Sequence, residues 1–430
     1  MSTQTISKRL TPLTGTYRPE GDKSLSHRAL LFAALAEGKS TIHRFLIGGV
    51  TKAMLQCLAD LGVAWELDEA THTLVVHGVG LKGFKSPAAP LYCGNSATTF
   101  RLLAGAIAGA GIACTLDGSE GLRKRPMGRI VEPLSILGAE IEDNHGCAPL
   151  VFKPATMGSV NYVLPVASAQ VKSCLILAAL SGNSPSAIIE PGPSRDHTER
   201  MLASMGARVK SFSEGYGVVI LPQECPLRPL DIELAGDISS AAFLMVAATL
   251  VPGSDFRLER VGVNPTRTGI IDALRAMGAK ITLENEGLMA GEPIADIRVQ
   301  SATLTGTSIE GDLVVRMIDE FPAFMIAAAM ATGETRVRDA AELRTKESDR
   351  IAMMTAQLKA VGVDMDETPD GFVIRGTGRI PGGAMVKAHG DHRVAMSMAL
   401  AGLVAETPVT IEGFEMLNES FPDFPKVLEL

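Results

Sequence analysis

Residues 95–109 of the chain read NSATTFRLLAGAIAG, a polar start followed by an apolar run of helical length. Similar stretches begin at Ser24, Ser168, Asp237, Asp319 and Asp391, and successive starts lie 69 to 82 residues apart. Internal similarity at a long, fixed period is typical of stacked supersecondary units, each of which buries its apolar face against its neighbours. The pattern therefore predicts six related units rather than one continuous domain.

Each of the first five units has a second helical segment that ends in a hydrophobic residue, glycine and Ala or Val. These closures are at Leu61-Gly62-Val63, Leu137-Gly138-Ala139, Met205-Gly206-Ala207, Met277-Gly278-Ala279 and Val361-Gly362-Val363. Glycine suits a helix C-terminus because it adopts positive φ without a Cβ clash. Alternating apolar and polar residues follow four of the closures and predict half-buried strands. The sixth unit shows only its start.

The repeats predict an α/β fold of two domains with three units each. Two segments, 13–21 and 226–231, read as crossovers between the halves. We expect residues 18–230 to form the first domain and residues 1–17 plus 231–430 to form a discontinuous second one. The alternative is an ordinary α/β chain whose helices merely look alike, and six starts with five matching closures disfavour it.

Composition narrows the functional classes. The chain of 430 residues is 46% hydrophobic and carries a net charge of −8, which argues against general nucleic-acid binding. Its longest uncharged apolar stretch, 102–116, is short and contains three glycines, so we expect no membrane span. The start lacks a signal-peptide core, and the six cysteines show no paired or metal-ligand spacing. We therefore expect a cytoplasmic protein with reduced thiols.

Three motif-like segments are rejected. The stretch Gly78–Gly83 matches a dinucleotide fingerprint in letters, but the proline-rich residues after it cannot open the required helix. The segment Glu37–Ser40 resembles the end of a P-loop, yet Ala33 occupies the position of the first glycine. His389 and His392 have no Cys or carboxylate partners at metal spacing, so no metal is expected.

Cationic and amide side chains cluster at the predicted helix starts. A helix N-terminus attracts anions, whereas a cation in the first turn is unfavourable by roughly 0.3–1 kcal/mol. Any one such residue is most simply a solvated charge, but seven occurrences in an acidic protein indicate a ligand with several anionic groups. They are Lys23-Ser24 with Arg28, Asn95-Ser96 with Arg101, Ser168-Ala169-Gln170 with Lys172, His392-Arg393, Arg123-Lys124-Arg125, Arg195, and Lys346 with Arg350.

Two carboxylate sites stand beside these cations: Asp319 with Glu320, and Glu347. Each acid has two interpretations. It is either a helix cap or first-turn acid, which is the common structural use, or a group that moves protons at a carbon or a hydroxyl. The residues alone indicate an enzyme that handles phosphorylated anions.

At these positions the chain resembles the 5-enolpyruvylshikimate-3-phosphate synthases over essentially its whole length. The segments that carry the resemblance are Gly21–Arg28, Gly94–Thr98, Arg123–Met127, Ser168–Lys172, Arg195–Glu199, Asn264–Arg267, Lys346–Arg350 and Asp391–Arg393. Those at 168–172, 195–199 and 264–267 resemble the class II branch, which is associated with glyphosate tolerance.

The resemblance implies a two-domain inside-out α/β barrel, with three βαβαββ units in each domain and an interdomain cleft for substrate. It implies transfer of the enolpyruvyl group of phosphoenolpyruvate to the 5-hydroxyl of shikimate 3-phosphate, without metal or organic cofactor. We expect a monomer whose partners are these two small molecules, with no nucleic acid and no membrane.

The resemblance also implies roles for individual residues. Lys23, Asp319 and Glu347 would be catalytic, with Asp319 taking the hydroxyl proton and Glu347 exchanging one with the methylene carbon. Shikimate 3-phosphate would be held by Lys23, Ser24, Arg28, Ser168, Ala169, Gln170, Arg195, Asp319 and Lys346. Phosphoenolpyruvate would be held by Lys23, Asn95, Ala97, Arg125, Gln170, Arg350 and Arg393, with Lys346 close by.

Three positions depart from the family pattern. Glu20 replaces a usual proline near a hinge, and Glu419 stands where many relatives have a lysine at the anion site. Ala97 replaces the usual glycine of the phosphoenolpyruvate loop, and its methyl group is expected to crowd glyphosate, which is longer than phosphoenolpyruvate. The sequence therefore predicts glyphosate tolerance.

Two other functions remain as alternatives at this point. The sister transferase that acts on UDP-N-acetylglucosamine usually has a reactive cysteine five residues before an Arg-Pro pair, and this chain has Glu120 there. A non-catalytic relative that binds phosphorylated metabolites would have no need of Lys23, Asp319 and Glu347 together.

Overall fold

The computed structural model describes residues 2–430. Its helices are α1 (Lys23–Leu35), α2 (Gly49–Asp60), α3 (Ala97–Ala110), α4 (Glu120–Arg123), α5 (Gly128–Leu137), α6 (Ala169–Ala179), α7 (His197–Ser204), α8 (Ile238–Leu250), α9 (Gly269–Ala276), α10 (Asp312–Arg316), α11 (Phe321–Met330), α12 (Arg350–Ala360), α13 (His392–Val404) and α14 (Phe424–Leu428). Short 3₁₀ helices span Ala341–Thr345 and Phe414–Glu419.

The strands are β1 (Thr3–Ile6), β2 (Thr14–Tyr17), β3 (Glu37–His43), β4 (Ala64–Asp68), β5 (Thr73–Val79), β6 (Leu91–Tyr92), β7 (Cys114–Asp117), β8 (Glu140–Asn144), β9 (Cys147–Lys153), β10 (Asn161–Val163), β11 (Ser186–Glu190), β12 (Val209–Ser211), β13 (Tyr216–Ile220), β14 (Asp231–Glu233), β15 (Asp255–Gly262), β16 (Lys280–Met289), β17 (Glu292–Gln300), β18 (Ser308–Ile309), β19 (Thr332–Val337), β20 (Asp364–Thr368), β21 (Gly371–Thr377), β22 (Met385–Lys387) and β23 (Val409–Glu412).

The α/β fold expected from the repeats is confirmed. Five sheets have four strands and one has three, and a parallel pair in each sheet is joined to antiparallel neighbours, as in the order β6-β7-β9-β8. The five closing glycines have φ of +89° at Gly62, +112° at Gly138, +88° at Gly206, +101° at Gly278 and +88° at Gly362. A strand follows each of them, including Gly206, where β12 is only three residues long.

The long apolar helices lie inside and the sheets outside, as an inside-out barrel requires. Helix α3 is buried from Ala97 to Gly109 except for Thr98, and α8, α11 and α13 are buried almost throughout. Helices α3 and α6 approach so closely that a Cβ on Gly105 would lie 2.1 Å from the carbonyl oxygen of Cys174. Burial on all sides explains why these segments show no polar face.

The chain forms two compact units. The first unit contains Gly21–Leu234 and Met289–Glu292; the second contains the residues up to Glu20, Ala235–Leu288 and Pro293–Leu430. The domain boundaries expected from the repeats, 17/18 and 230/231, stay a prediction, and Met1 of the expected second domain lies outside the described residues. The tip of the β16–β17 hairpin, 289–292, belongs to the first unit, and no sequence pattern indicated this.

Strands from distant parts of the chain complete three of the sheets. Strand β14 pairs in parallel with β3 in the first unit, and β2 pairs in parallel with β15 in the second. Strand β1 pairs with β23, so the N-terminus supplies the strand that the sixth unit lacks in the sequence. Within residues 2–430, no helix is both long and apolar enough to cross a bilayer.

Candidate active site

The three buried helices of the first unit begin close together. Ser96, the N-cap of α3, donates a hydrogen bond to His27 of α1, with Oγ and Nε2 3.5 Å apart. Arg101 of α3 donates from Nη1 to Oε1 of Gln170 in α6 at 2.5 Å, and the Gln170 amide donates to Thr98 Oγ1 at 3.0 Å. The predicted convergence of helix N-termini is therefore present in this unit.

Arg28 lies at this convergence and is held only by neutral oxygens. Its Nε donates to Thr198 Oγ1 at 2.8 Å, Nη2 to Ser173 Oγ at 2.9 Å and Nη1 to the Ser24 carbonyl at 3.1 Å. In the part of the chain that the structure describes, no carboxylate lies within ion-pairing distance of Arg28. Burial lowers the pKa of Arg28 to about 10. A buried cation without a counter-ion suits an anionic ligand.

The expectation that Lys172 belongs with the anion-binding cations is not supported by its contacts. Its Nζ lies 2.6 Å from Glu190 Oε2 and 2.8 Å from Glu199 Oε1, and all three side chains are buried. Burial alone would lower the pKa of Lys172, but the two carboxylates outweigh burial and raise it. Lys172 is thus a structural cation whose charge is already compensated.

Arg123 and Lys124 also have ordinary structural partners. Arg123 forms a surface ion pair with Asp117, and Lys124 Nζ lies 2.6 Å from Oε1 of Glu120 on the same exposed turn. The neighbouring Arg125 differs, since it is 8% exposed. Of this basic run, only Arg125 has the burial expected of a ligand-binding group.

The remaining predicted residues of the first unit lie at or beside the same helix starts. Lys23 and Ala169 are the first residues of α1 and α6, and Ser168 caps α6 without a side-chain hydrogen bond to its backbone. Ala97 is the first residue of α3 and is buried. Asn95 accepts a hydrogen bond from Ser119 at 3.0 Å, Ser24 follows Lys23, and Arg195 lies two residues before α7.

The second unit gathers its predicted residues around Arg350. This guanidinium is 1% exposed and donates to Glu347 Oε2 at 2.6 Å, to Asp391 Oδ2 at 2.9 Å and to Asp319 Oδ1 at 3.5 Å. Burial lowers the pKa of Arg350, but the three carboxylates outweigh burial and raise it. Asp319 and Glu347, which are separate in sequence, therefore share one buried cation.

Other residues occupy the N-cap positions of the helices that follow these two carboxylates, so the interpretation of Asp319 and Glu347 as proton-transfer groups stays a prediction. Glu320 occupies the N-cap of α11, and Asp349 caps α12 by accepting from Ala352 N. The carboxylates of Asp319 and Glu347 keep 20% and 22% of their surface exposed, enough to reach a ligand.

Two further cations border this pair of carboxylates. Arg393 donates from Nη1 to the backbone oxygen of Asp319 at 2.7 Å and is buried. Burial lowers the pKa of Lys346, although the nearby Asp319 and Glu342 oppose the effect. A lysine whose charge is disfavoured in this way gains most from an anionic partner.

Sequence reasoning missed two structural groups beside this site. Asp391 caps α13 by accepting from Arg393 N at 2.9 Å and also holds Arg350. Arg267 is buried and donates to Ser239 Oγ at 2.8 Å, while Ser239 donates to Glu320. Both residues lie in segments that carried the family resemblance, which is the signal that could have marked them. Across residues 2–430, no group of three or more His, Cys, Asp or Glu side chains could hold a metal ion.

Comparison with known proteins decides the family. The family model for EPSP synthase (3-phosphoshikimate 1-carboxyvinyltransferase) matches residues 8–428. The chain belongs to the EPSP synthase family. A 3-phosphoshikimate 1-carboxyvinyltransferase of Syntrophomonas wolfei is 46% identical over 421 residues, covering 97% of each chain. One of Nitrosococcus oceani is 48% identical, covering 96% of this chain and 92% of its own.

A solved EPSP synthase has the same fold. The 2.37 Å structure from Acinetobacter baumannii is 43% identical, covers 99% of this chain and 97% of its own, and has a TM-score of 0.87. The family expected from the sequence motifs is confirmed over nearly the full length. The two-domain inside-out α/β class of EPSP synthases is confirmed with it.

Proposed function

We propose that this chain is a 3-phosphoshikimate 1-carboxyvinyltransferase, an enzyme of the shikimate pathway and so of aromatic amino acid biosynthesis. It transfers the enolpyruvyl group of phosphoenolpyruvate to the 5-hydroxyl of shikimate 3-phosphate and releases phosphate. Membership of the EPSP synthase family over residues 8–428 supports this reaction. The observation that carries the mechanism is the sharing of buried Arg350 by Asp319 and Glu347, which gives two carboxylates held together and partly exposed.

The two carboxylates move the protons. The 5-hydroxyl oxygen forms a bond to C2 of phosphoenolpyruvate while Asp319 accepts the hydroxyl proton and Glu347 delivers a proton to C3. The bond from C2 to the phosphate oxygen then breaks, phosphate leaves, and Glu347 removes a proton from the methyl group. These steps start with Asp319 ionised and Glu347 protonated; Glu347 regains its proton from the methyl group, and the proton held by Asp319 passes to the departing phosphate.

The cations stabilise the intermediate between addition and elimination. That intermediate carries phosphate and carboxylate charge on one carbon, so fixed positive groups lower its energy without reorganising. For phosphoenolpyruvate we assign Lys23, Asn95, Ala97, Arg125, Gln170, Arg350 and Arg393. Gln170 is suited to this role because Arg101 and Thr98 fix the orientation of its amide.

Shikimate 3-phosphate binds through Arg28 and its neighbours. We assign Lys23, Ser24, Arg28, Ser168, Ala169, Gln170, Arg195, Asp319 and Lys346 to this substrate. The direct hydrogen-bond partners of Arg28 are neutral carbonyl and hydroxyl oxygens, although nearby carboxylates favour its charge, and a phosphate dianion supplies a direct ionic partner.

We also propose that the enzyme tolerates glyphosate and works in the cytoplasm as a monomer without a cofactor. Ala97 supports tolerance, since its methyl group is buried at the start of α3, where phosphoenolpyruvate is expected. All six cysteines are free thiols, which fits a reducing compartment.

Product analysis tests the proposed function. The purified chain is incubated with phosphoenolpyruvate and either shikimate 3-phosphate or UDP-N-acetylglucosamine, and the products are identified by mass spectrometry and NMR. We expect the enolpyruvyl ether at the 5-hydroxyl of shikimate 3-phosphate and no product from the nucleotide sugar. Glu120, where the sister transferase has its cysteine, is an exposed residue paired with Lys124. No ether from shikimate 3-phosphate would overturn the assignment.

A further inference from the structure

The hydroxyl groups of Thr198 and Ser173 form a directed chain of hydrogen bonds behind Arg28. Ser173 Oγ lies 2.6 Å from the Ala169 carbonyl, which can only accept, so the single Ser173 proton points there. Thr198 Oγ1 and Ser173 Oγ lie 2.6 Å apart, and because the Ser173 proton is committed, Thr198 is the donor between them. The direction of every bond in the chain is therefore fixed.

Two nitrogens of Arg28 donate hydrogen bonds to these two hydroxyl groups. Nε donates to Thr198 and Nη2 donates to Ser173, so Thr198 accepts one bond and donates one, while Ser173 accepts two and donates one. Both hydroxyl residues are fully buried. The lone pairs that face Arg28 cannot turn away without breaking another buried hydrogen bond, which is costly.

The hydroxyl pair connects three helices that carry candidate ligand residues. Arg28 belongs to α1, Ser173 and its acceptor Ala169 belong to α6, and Thr198 lies in the first turn of α7, three residues after Arg195. The pair orients the guanidinium while adding no negative charge to it. A carboxylate in the same place would fix Arg28 equally well but would compete with an anionic substrate.

We propose that Thr198 and Ser173 are positioning residues for shikimate 3-phosphate. They act through Arg28, holding its fork toward the substrate, and neither belongs to the set assigned above. The inference rests on the proposed function, since it names how the same site holds its phosphorylated substrate.

Kinetics of four variants test the inference. Thr198→Val keeps the shape and branching but removes the hydroxyl, Ser173→Ala removes the second one, and Thr198→Ser restores the first. Thr249→Val is the matched control, because Thr249 is equally buried and its hydroxyl donates only to the Met245 carbonyl of its own helix, at 2.8 Å. For each protein, kcat, the KM of both substrates and the melting temperature are measured.

We expect Thr198→Val to raise the KM for shikimate 3-phosphate about 10- to 100-fold, the loss typical of a hydrogen bond to a charged group. The kcat at saturating substrate and the KM for phosphoenolpyruvate should change far less. Thr198→Ser should recover most of the affinity, and Thr249→Val should change only the melting temperature. Because the hydroxyls act as one chain, the Thr198→Val, Ser173→Ala double variant should lose little more than the worse single variant.

A Thr198→Val protein with the parent's KM for shikimate 3-phosphate overturns the inference. If that variant does not fold, Ser173→Ala decides in the same way. The inference is also overturned if Thr198→Val changes the KM for shikimate 3-phosphate no more than Thr249→Val does, or if the losses of the two single variants multiply in the double variant. Activity of the parent tests the proposed function separately, since an inactive parent contradicts the reaction and the ratio of variant to parent tests only the positioning.

Discussion

Replacing Arg28 with methionine should impair substrate binding while leaving the fold nearly as stable as the parent. Arg28 is 2% exposed and is held by hydroxyl and carbonyl oxygens. Ordinary buried cations are structural, and their removal destabilises a protein. Arg28 has no counter-ion to leave behind, so its substitution separates a ligand-binding role from a structural one.

The magnitude follows from the pKa of Arg28. Burial lowers it from its usual range to about 10, and each pKa unit corresponds to about 1.4 kcal/mol, so the charge costs the folded state on the order of 3 kcal/mol. Methionine removes that cost together with three hydrogen bonds, which contribute about 0.5–1.5 kcal/mol each. We therefore expect the free energy of unfolding to change by no more than about 2 kcal/mol.

Lys172→Met is the matched control because Lys172 is equally buried but paired. Its removal leaves Glu190 and Glu199 without their cation, a defect that typically costs about 3–5 kcal/mol. At roughly 2–4 °C per kcal/mol for a unit of about 200 residues, its melting temperature should fall by about 10 °C. That of Arg28→Met should stay within about 5 °C of the parent.

The assay is thermal unfolding with and without shikimate 3-phosphate. The ligand at 100 times its Kd should stabilise the parent by about 2.7 kcal/mol. At the same concentration it should stabilise Arg28→Met by only about 0.4–1.4 kcal/mol, because losing a charge-assisted contact to phosphate raises Kd about 10- to 100-fold. An Arg28→Met protein as destabilised as Lys172→Met would show that Arg28 is a structural cation, and one stabilised by the ligand as much as the parent would show that Arg28 does not bind the phosphate.

Three further predictions concern turnover, inhibition and pH. Glu347→Gln and Asp319→Asn should each lower kcat by about 10²- to 10⁴-fold, since each loses a proton-transfer group. Substrate binding, measured separately from turnover, should persist. Ala97→Gly should increase glyphosate inhibition about 10- to 100-fold at an unchanged KM for phosphoenolpyruvate. The reason is that removing the methyl group relieves its crowding of glyphosate, which costs roughly 1–3 kcal/mol. Equal inhibition of both proteins would contradict the role of Ala97. Burial lowers the pKa of His27 from 6.5 to about 4, so the folded state resists protonation of this side chain. The free energy of unfolding should therefore be unaffected by His27 above pH 6.5 and fall by about 3 kcal/mol toward pH 4. In urea titrations across this pH range, His27→Asn should remove that part of the decline.

The repeat pattern predicted the fold because its signals are local. Each closing glycine adopts positive φ where the sequence pattern demands it, and the apolar helices are buried on all sides. Residues 1–17 were expected with the second half, but the strand partners of β2 and β14 were beyond such reasoning, because both strands are only three or four residues long and their partners are distant in sequence. The same holds for β1, which completes the sheet of the sixth unit.

The sequence indicated which cations and acids are candidates for the site, but it could not give the contacts that distinguish one cation from another. Arg28 and Lys172 look alike in sequence, since each is a cation in the first half of an apolar helix. Only tertiary contacts distinguish them, with two hydroxyls behind Arg28 and two carboxylates around Lys172. Likewise, only the structure shows that Glu320 and Asp349 occupy the N-cap positions beside Asp319 and Glu347, whose part in proton transfer stays a prediction.

We propose that the cations at these helix starts and the carboxylates around Arg350 serve one reaction between two acidic metabolites. Release of inorganic phosphate from phosphoenolpyruvate tests it most directly. We predict rapid release when shikimate 3-phosphate is also present, none with phosphoenolpyruvate alone, and almost none from Glu347→Gln with both substrates. Release that does not depend on shikimate 3-phosphate, or that continues undiminished in Glu347→Gln, would contradict the account.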